Sequence, residues 1–234
     1  MSSFELHAVA SEVDAKKVKL PNTIDVRVNS RHATEPIVVC CTGPSFNKLD
    51  QDLLDEYITI GTNWIRKLYE PTYLITSDTG VARKADVFRD GKQIKFSLHP
   101  EIYNQRGTRF SIPGSVMYYS PCRRTDQCIG EKLAEGLFVP NTGLAAVSLA
   151  YIMGGNPIFL AGVDLNTPFH AHEPQAPIHH NMINRGKWPT LERELQNWGR
   201  VAEFMAARGI EIINLNPDSA ITLFPSSVQF HRQK

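Results

Sequence analysis

The chain has 234 residues, enough for one α/β domain with a lid and enough to bury a core without staples. Lys and Arg number 25 against 24 Asp and Glu, a net charge of +1, which argues against a nucleic-acid-binding face or a basic membrane patch. No apolar run reaches the roughly 18 residues needed to cross a bilayer, and residues 1–20 lack the basic-then-apolar pattern of a leader, so a cytoplasmic protein is expected.

Residues 1–35 are polar and mixed, with one candidate strand at Ile24–Val28, and read as an N-terminal arm. Residues 36–234 read as a single domain. Its first central strand is Ile37–Cys41, a β-branched apolar run that stops at Gly43-Pro44-Ser45. Gly43 admits a close approach to the backbone, Pro44 fixes φ, and Ser45 offers a hydroxyl to a ligand or to the next helix. A nucleotide or phosphate at this turn and an ordinary strand-to-helix turn both satisfy the pattern. The adjacent Cys40 and Cys41 suit a buried strand, while Cys122 and Cys128 do not match a zinc spacing.

A short helix is expected within Leu49–Tyr57, a strand over Ile58–Asn63, and a third strand over Thr72–Asp78 that ends on a carboxylate. A helix can follow from Val81. Ile94–Phe96 and Val116–Tyr119 are shorter strand candidates. Asn141-Thr142-Gly143 opens an apolar helix over Leu144–Met153, which Gly154-Gly155 ends. Pro157–Asp164 is a further buried strand that ends on Gly162 and Asp164. Residues 165–189 hold four prolines and four histidines with little periodicity, which predicts a long lid loop. Thr190–Arg208 is amphipathic, with Thr190 as N-cap and Glu192 and Glu194 in its first turn. Ile210–Leu215 is the last strand, running into Asn216-Pro217-Asp218-Ser219.

Strands alternating with helices predict a Rossmann-like α/β fold: a mostly parallel sheet with helices on both faces. Four strands end at Gly43, Asn63, Asp78 and Asp164. In a parallel sheet such ends share one edge, where ligands bind. Asp78 and Asp164 each need a partner, either a ligand or a turn that they cap. In the lid, His170, His172, His179 and His180 can take a proton near neutral pH, while Arg185 and Lys187 can close over phosphates. His170-Ala171-His172-Glu173 also suits a divalent ion, or a solvated loop. Trp64, Trp188 and Trp198 read as packing residues, and Arg123-Arg124 as solvated surface.

Taken in order, the Gly-Pro-Ser turn, the Gly61-Thr62-Asn63 strand end, the Asn-Thr-Gly helix start, the Leu160–Asp164 strand end and the Asn-Pro-Asp-Ser turn resemble the bacterial sialyltransferases of glycosyltransferase family 42. They also resemble the related DUF115 group, which includes 6-hydroxymethylpterin pyrophosphokinase-like proteins. The resemblance spans roughly residues 36–224 and implies a Rossmann-like fold with a mobile lid. It implies that Gly43, Pro44 and Ser45 lie against the phosphate and ribose of a nucleotide, with Thr42 where those sialyltransferases carry Asn. It further implies that Asn63 contacts the nucleotide sugar, that Asn141, Thr142 and Gly143 face an anion, and that Gly162, Asp164, Asn216 and Ser219 complete the pocket.

The lid departs from that family: it has no tyrosine and no histidine at the position of the general base, so His180 and His172 are the catalytic candidates. Asp78 has no counterpart there. The first expectation is a glycosyltransferase moving a sugar from a nucleotide donor to a small-molecule or glycan acceptor, with no metal required. The second is a Mg²⁺-dependent diphosphotransferase with Asp78 and Asp164 near the ion. The third is a non-catalytic nucleotide-binding protein. A homo-oligomer is compatible with all three.

Overall fold

A computed structural model describes residues 28–78, 81, 93–97, 102–103, 109–110, 116–122, 128–166, 169–171, 173–177 and 191–232. The strands are β1 (Ile37–Cys40), β2 (Ile58–Thr62), β3 (Tyr73–Thr76), β4 (Ile94–Ser97), β5 (Ile102–Tyr103), β6 (Arg109–Phe110), β7 (Val116–Tyr118), β8 (Ile158–Ala161), β9 (Phe169–His170), β10 (Glu173–Pro177) and β11 (Ile212–Asn214). The helices are α1 (Gln51–Leu54), α2 (Thr142–Ile152) and α3 (Leu191–Ala206), with 3-10 turns at Pro44–Lys48, Asn63–Lys67 and Leu133–Glu135.

Seven strands form one sheet in the order β11-β8-β1-β2-β3-β4-β7, and every neighbouring pair is parallel. The expected mostly parallel Rossmann-like sheet is therefore parallel throughout these seven strands. From β1 the chain adds strands outward on one side, then returns with β8 to the other side of β1. Strand order reverses between β1 and β8. A crevice opens at the carboxyl ends of strands at such a point.

Each central strand is buried on both faces, which explains its unbroken apolar run. Alternate residues feed two cores. Ile37 and Val39 of β1 join Ile60, Ile75, Phe96, Leu160 and the inner side chains of α2 and α3. Val38 and Cys40 join Phe46, Leu54, Ile65, Leu74, Phe159 and Phe230 on the opposite face. The first face is thus covered by α2, α3 and the 3-10 turn at Leu133–Glu135, the second by α1, the 3-10 turns at Pro44–Lys48 and Asn63–Lys67 and the C-terminal segment. α2 is buried nearly all round because it lies between the sheet and α3. α3 is amphipathic, with Trp198, Val201, Phe204 and Met205 turned inward.

Several expected elements differ. The helix expected within 49–57 is reduced to α1, because Asp50 caps it late, accepting from the Asp52 N–H at 3.1 Å. The polar turn after β2 is a 3-10 helix that starts at Asn63 with φ +48°. The expected loop over 165–189 contains an antiparallel hairpin, β9 with β10. Its first arm has two residues and its second carries prolines, so neither gives the alternating run that marks a strand. Of the candidate strand at 24–28 only Val28 is described, and it pairs with no strand among the described residues. Residues 28–34 instead strap the end of α2: Ser30, His32 and Thr34 donate backbone N–H groups to Ile152, Met153 and Gly154. Thr190, Trp188, Arg123 and Arg124 lie outside the described residues.

Candidate functional site

The residues picked out by sequence at the carboxyl edge divide into a buried brace and a second set around the ends of β2 and β3 and the start of α2. The brace centres on Asp164, which is buried just beyond β8. Its Oδ2 accepts the backbone N–H of Ser45 at 2.9 Å, and its Oδ1 accepts the Ser45 hydroxyl and the Asn216 amide, the latter at 2.8 Å. Ser219 Oγ donates to the Val163 carbonyl at 2.8 Å, and Ala220 N–H to the Asp164 carbonyl at 2.9 Å. These bonds join segments some 50 to 120 residues apart in sequence, tying the ends of β1, β8 and β11 together. A buried carboxylate held by three donors is well compensated for its lost hydration.

Gly43 belongs to the same brace. Its N–H donates to the Gly162 carbonyl at 2.9 Å. A Cβ there would stand 2.5 Å from that carbonyl oxygen and 2.7 Å from Asp164 Oδ2. The glycine therefore makes room for Asp164, a use not visible in the sequence. Gly162 sits at φ +67°, where a side chain would collide with the Cys41 carbonyl. Ser45 does not cap the 3-10 turn that follows; its hydroxyl is spent on Asp164.

The second set lies across β2, β3 and the start of α2. Asn63 accepts the Thr76 hydroxyl through Oδ1 at 2.8 Å, which turns its amide NH₂ away from Thr76. Thr76 Oγ1 in turn accepts the Asp78 N–H at 3.1 Å, and the hydroxyls of Ser77 and Thr142 share a hydrogen bond of 2.6 Å. Asn141 is the N-cap of α2, its Oδ1 accepting the Leu144 N–H at 2.8 Å. The N–H groups of Thr142 and Gly143 bond to nothing among the described residues. A helix start of this kind favours an anion.

Two residues outside the sequence-level candidate set complete this corner. Glu194, in the first turn of α3, is buried and accepts the Asn141 amide. Burial pushes its carboxyl above the usual range, with the Asn141 hydrogen bond pulling the other way. Cys41, just past β1, has its thiol pushed up to about 11 by burial, and its Sγ lies 3.4 Å from where a Cβ on Gly143 would stand. Position in the first turn made Glu194 look like a dipole-matched surface acid, and only the packing of α3 on α2 reveals its burial.

The lid meets the crevice through its backbone. Ala171 N–H donates to the Thr42 carbonyl at 2.7 Å, and Asn47 Nδ2 to the Ala171 carbonyl at 3.3 Å. The turn of the hairpin is thus tied to both sides of the Gly-Pro-Ser turn. His172 and His180, the base candidates, lie outside the described residues. Among the described residues no three His, Cys, Asp or Glu side chains gather as a metal group. No helix among them is long and apolar enough to cross a membrane.

Solved structures share this fold. The sialyltransferase CstII from Campylobacter jejuni, in complex with the substrate analogue CMP-3FNeuAc, matches with a TM-score of 0.51 over 86% of this chain and 90% of that one, at 10% identity. The monofunctional α-2,3-sialyltransferase Cst-I from the same organism matches with a TM-score of 0.51 over 86% and 83%, at 13% identity. The chain shares its fold with these sialyltransferases. The MAf glycosyltransferase from Magnetospirillum magneticum AMB-1 matches with a TM-score of 0.57 over 88% of this chain and 36% of that one, at 14% identity. No family profile and no curated protein sequence matches the chain.

Proposed function

We propose that this protein is a nucleotide-sugar-dependent glycosyltransferase of the sialyltransferase kind, with a cytidine nucleotide in the crevice at the carboxyl ends of β1, β2 and β8. The observation that carries the reading is the start of α2, whose Thr142 and Gly143 N–H groups are unbonded among the described residues beside the point where strand order reverses. A variant of the CST-II sialyltransferase, with a TM-score of 0.52 to this chain, has been solved in complex with CMP.

In this reading the anomeric carbon–oxygen bond of the donor breaks and the electron pair leaves on the nucleotide phosphate. Fixed N–H donors at Thr142 and Gly143 stabilise the charge that builds there, which is the largest contribution such a site can make. Asn63 and Thr42 hold the nucleotide or its sugar. The acceptor hydroxyl bonds to the anomeric carbon and gives its proton to a lid histidine, His172 or His180. No metal enters the reaction, and the acceptor is a glycan or another small hydroxyl compound.

Diphosphate transfer is less well supported. It calls for Asp78 and Asp164 at a magnesium ion, yet both carboxylate oxygens of Asp164 are engaged by Ser45 and Asn216. The test is a thermal-shift panel of CMP, CDP, UDP, GDP, ATP and GTP, each with and without Mg²⁺. Ligand at a hundred times its Kd stabilises by about 2.7 kcal/mol, a readily visible shift. Stabilisation by a cytidine nucleotide without metal is expected. A response confined to ATP or GTP with Mg²⁺ overturns the proposal in favour of diphosphate transfer, and no response to any nucleotide overturns both. Should CMP bind, His172→Ala and His180→Ala separate transferase from non-catalytic binder: one of them is to abolish hydrolysis or transfer of a CMP-sugar while leaving CMP binding intact.

A further inference from the structure

α3 brings two polar side chains, one helical turn apart, against the first turn of α2. Glu194 holds the Asn141 amide, as described above. Trp198, four residues on and on the same face, is almost wholly buried, 1% exposed. Its ring packs edge to face with Phe224, with centroids 6.0 Å apart. Its indole N–H, however, has no hydrogen-bond partner among the described residues.

Location gives that orphaned donor its meaning. Cζ2 of Trp198 lies 3.8 Å from the position of a Cβ on Gly143. In the indole ring, Cζ2 and Nε1 are bonded to the same carbon, which places the N–H one ring atom from that contact. Buried N–H groups are nearly always satisfied in native proteins, and leaving one unpaired is costly. Three donors without partners among the described residues therefore lie near one corner: the N–H groups of Thr142 and Gly143, and the indole of Trp198. The Asn141–Glu194 bond fixes the amide of Asn141 so that its oxygen caps Leu144 and leaves the first two N–H groups of the helix uncovered.

We propose that the indole N–H of Trp198 donates to an oxyanion oxygen of the ligand held at the start of α2. Trp198 is then a ligand-reading residue, and Glu194 is a positioning residue acting through Asn141. The inference rests on the nucleotide reading above. The oxyanion is either the phosphate of the nucleotide or the carboxylate of an acidic sugar attached to it, since both present oxygens that accept N–H donors.

The experiment is a ¹H–¹⁵N NMR titration of the indole N–H signals of the full chain, which has three tryptophans. The Trp198 signal is assigned by its loss in Trp198→Phe. Titrants are cytidine, CMP, inorganic phosphate and CMP-3FNeuAc, with binding scored independently by thermal shift. The expected result is a downfield move of the Trp198 signal with CMP but not with cytidine if the phosphate is the acceptor. A move only with CMP-3FNeuAc makes it the sugar carboxylate. Trp198→Phe, which keeps the ring and removes the N–H, is expected to weaken that ligand about tenfold. If CMP or CMP-3FNeuAc binds while the Trp198 signal stays in place, the inference is overturned and the nucleotide reading stands. If no cytidine compound binds, the nucleotide reading falls and takes this inference with it. The wild-type signal decides the matter even if Trp198→Phe fails to fold.

Discussion

Two substitutions of the same kind, Gly43→Ala and Gly199→Ala, should move stability in opposite directions. At Gly43 a methyl group would stand 2.5 Å from the Gly162 carbonyl oxygen and 2.7 Å from Asp164 Oδ2. One of those neighbours is backbone and the other is a carboxylate held by three donors, so neither can rotate away. The ends of β1 and β8 must part. That weakens the Gly43–Gly162 backbone bond and the charge-assisted bonds from Ser45 to Asp164. Overpacking of this sort costs about 1–3 kcal/mol, and loss of a hydrogen bond to a charged group about 1.5–3 kcal/mol more. A total of about 3–5 kcal/mol lowers Tm by about 10 °C or more in a chain of this size. Gly199 lies in the middle of α3 with nothing within 4 Å of an added Cβ. Alanine there is expected to stabilise by about 0.5–1 kcal/mol through helix propensity alone. Thermal and urea unfolding of both variants against wild type gives the comparison. A Gly43→Ala protein that melts within about 2 °C of wild type, less than about 1 kcal/mol for this size, would refute the brace, because it would mean that the carboxyl edge yields without penalty.

Three further outcomes follow from the same geometry. Asp164→Asn offers one acceptor oxygen where two are used and turns an NH₂ toward a donor, so it is expected to cost about 2–3 kcal/mol; an unchanged urea midpoint contradicts this. Glu194 has its folded carboxyl raised above the unfolded value by burial, so its proton favours the folded state. Its stabilising effect is full below the unfolded carboxyl range and is lost as pH rises through the folded value. Glu194→Gln, neutral throughout, should therefore raise Tm relative to wild type at pH 8 and make no difference at pH 4. An equal Tm difference at both pH values contradicts the assignment. Gly143→Ala places a Cβ 3.3 Å from Asn141 Oδ1 and 3.4 Å from Cys41 Sγ, contacts that small shifts relieve. It should change stability by less than about 1 kcal/mol yet weaken CMP about tenfold, since helical Cβ atoms tilt toward the N-terminus where the ligand lies; equal CMP affinity by calorimetry counts against a ligand at this corner.

The sheet was legible because parallel strands buried on both faces leave a strong mark: Ile37–Cys40 and Ile158–Ala161 are apolar throughout, and Tyr73–Thr76 is apolar up to its closing threonine. The start of α2 was legible from Asn141, whose capping role is local. The short elements were not. A two-residue strand such as Phe169–His170, or one 3-10 turn at Asn63–Lys67, carries no period to detect. Nor were the duties of the strand-end residues. Asp164 pairs with Ser45, 119 positions earlier, and with Asn216, 52 positions later. Such pairings depend on strand order, and strand order is set by which hydrophobic faces meet, not by any residue in the turn. Trp198 shows both sides of this: its burial followed from the helical pattern, while the unpaired N–H appears only once α3 is laid on α2.

The brace and the open corner explain each other. A helix start can offer bare N–H groups to a ligand only if the strands beside it are held apart at a fixed width, because a collapsed crevice would bring backbone carbonyls onto those donors. Asp164, fixed from Ser45, Asn216 and the 219–220 turn, ties together the segments that follow β1, β8 and β11. Asn141 serves the same end from the other side. With its amide held by Glu194, its oxygen stays on Leu144 and does not fold back over Thr142 and Gly143. Polar residues that look in sequence like a single set of ligand contacts are thus mostly scaffold. In the proposed reading the contacts themselves fall to backbone N–H groups, which no side-chain motif can spell out, and to a tryptophan whose pattern spoke only of packing. For a site of this design, substitutions in the brace should change stability and affinity together, while substitutions at Asn63 or Gly143 should change affinity with far less effect on the fold.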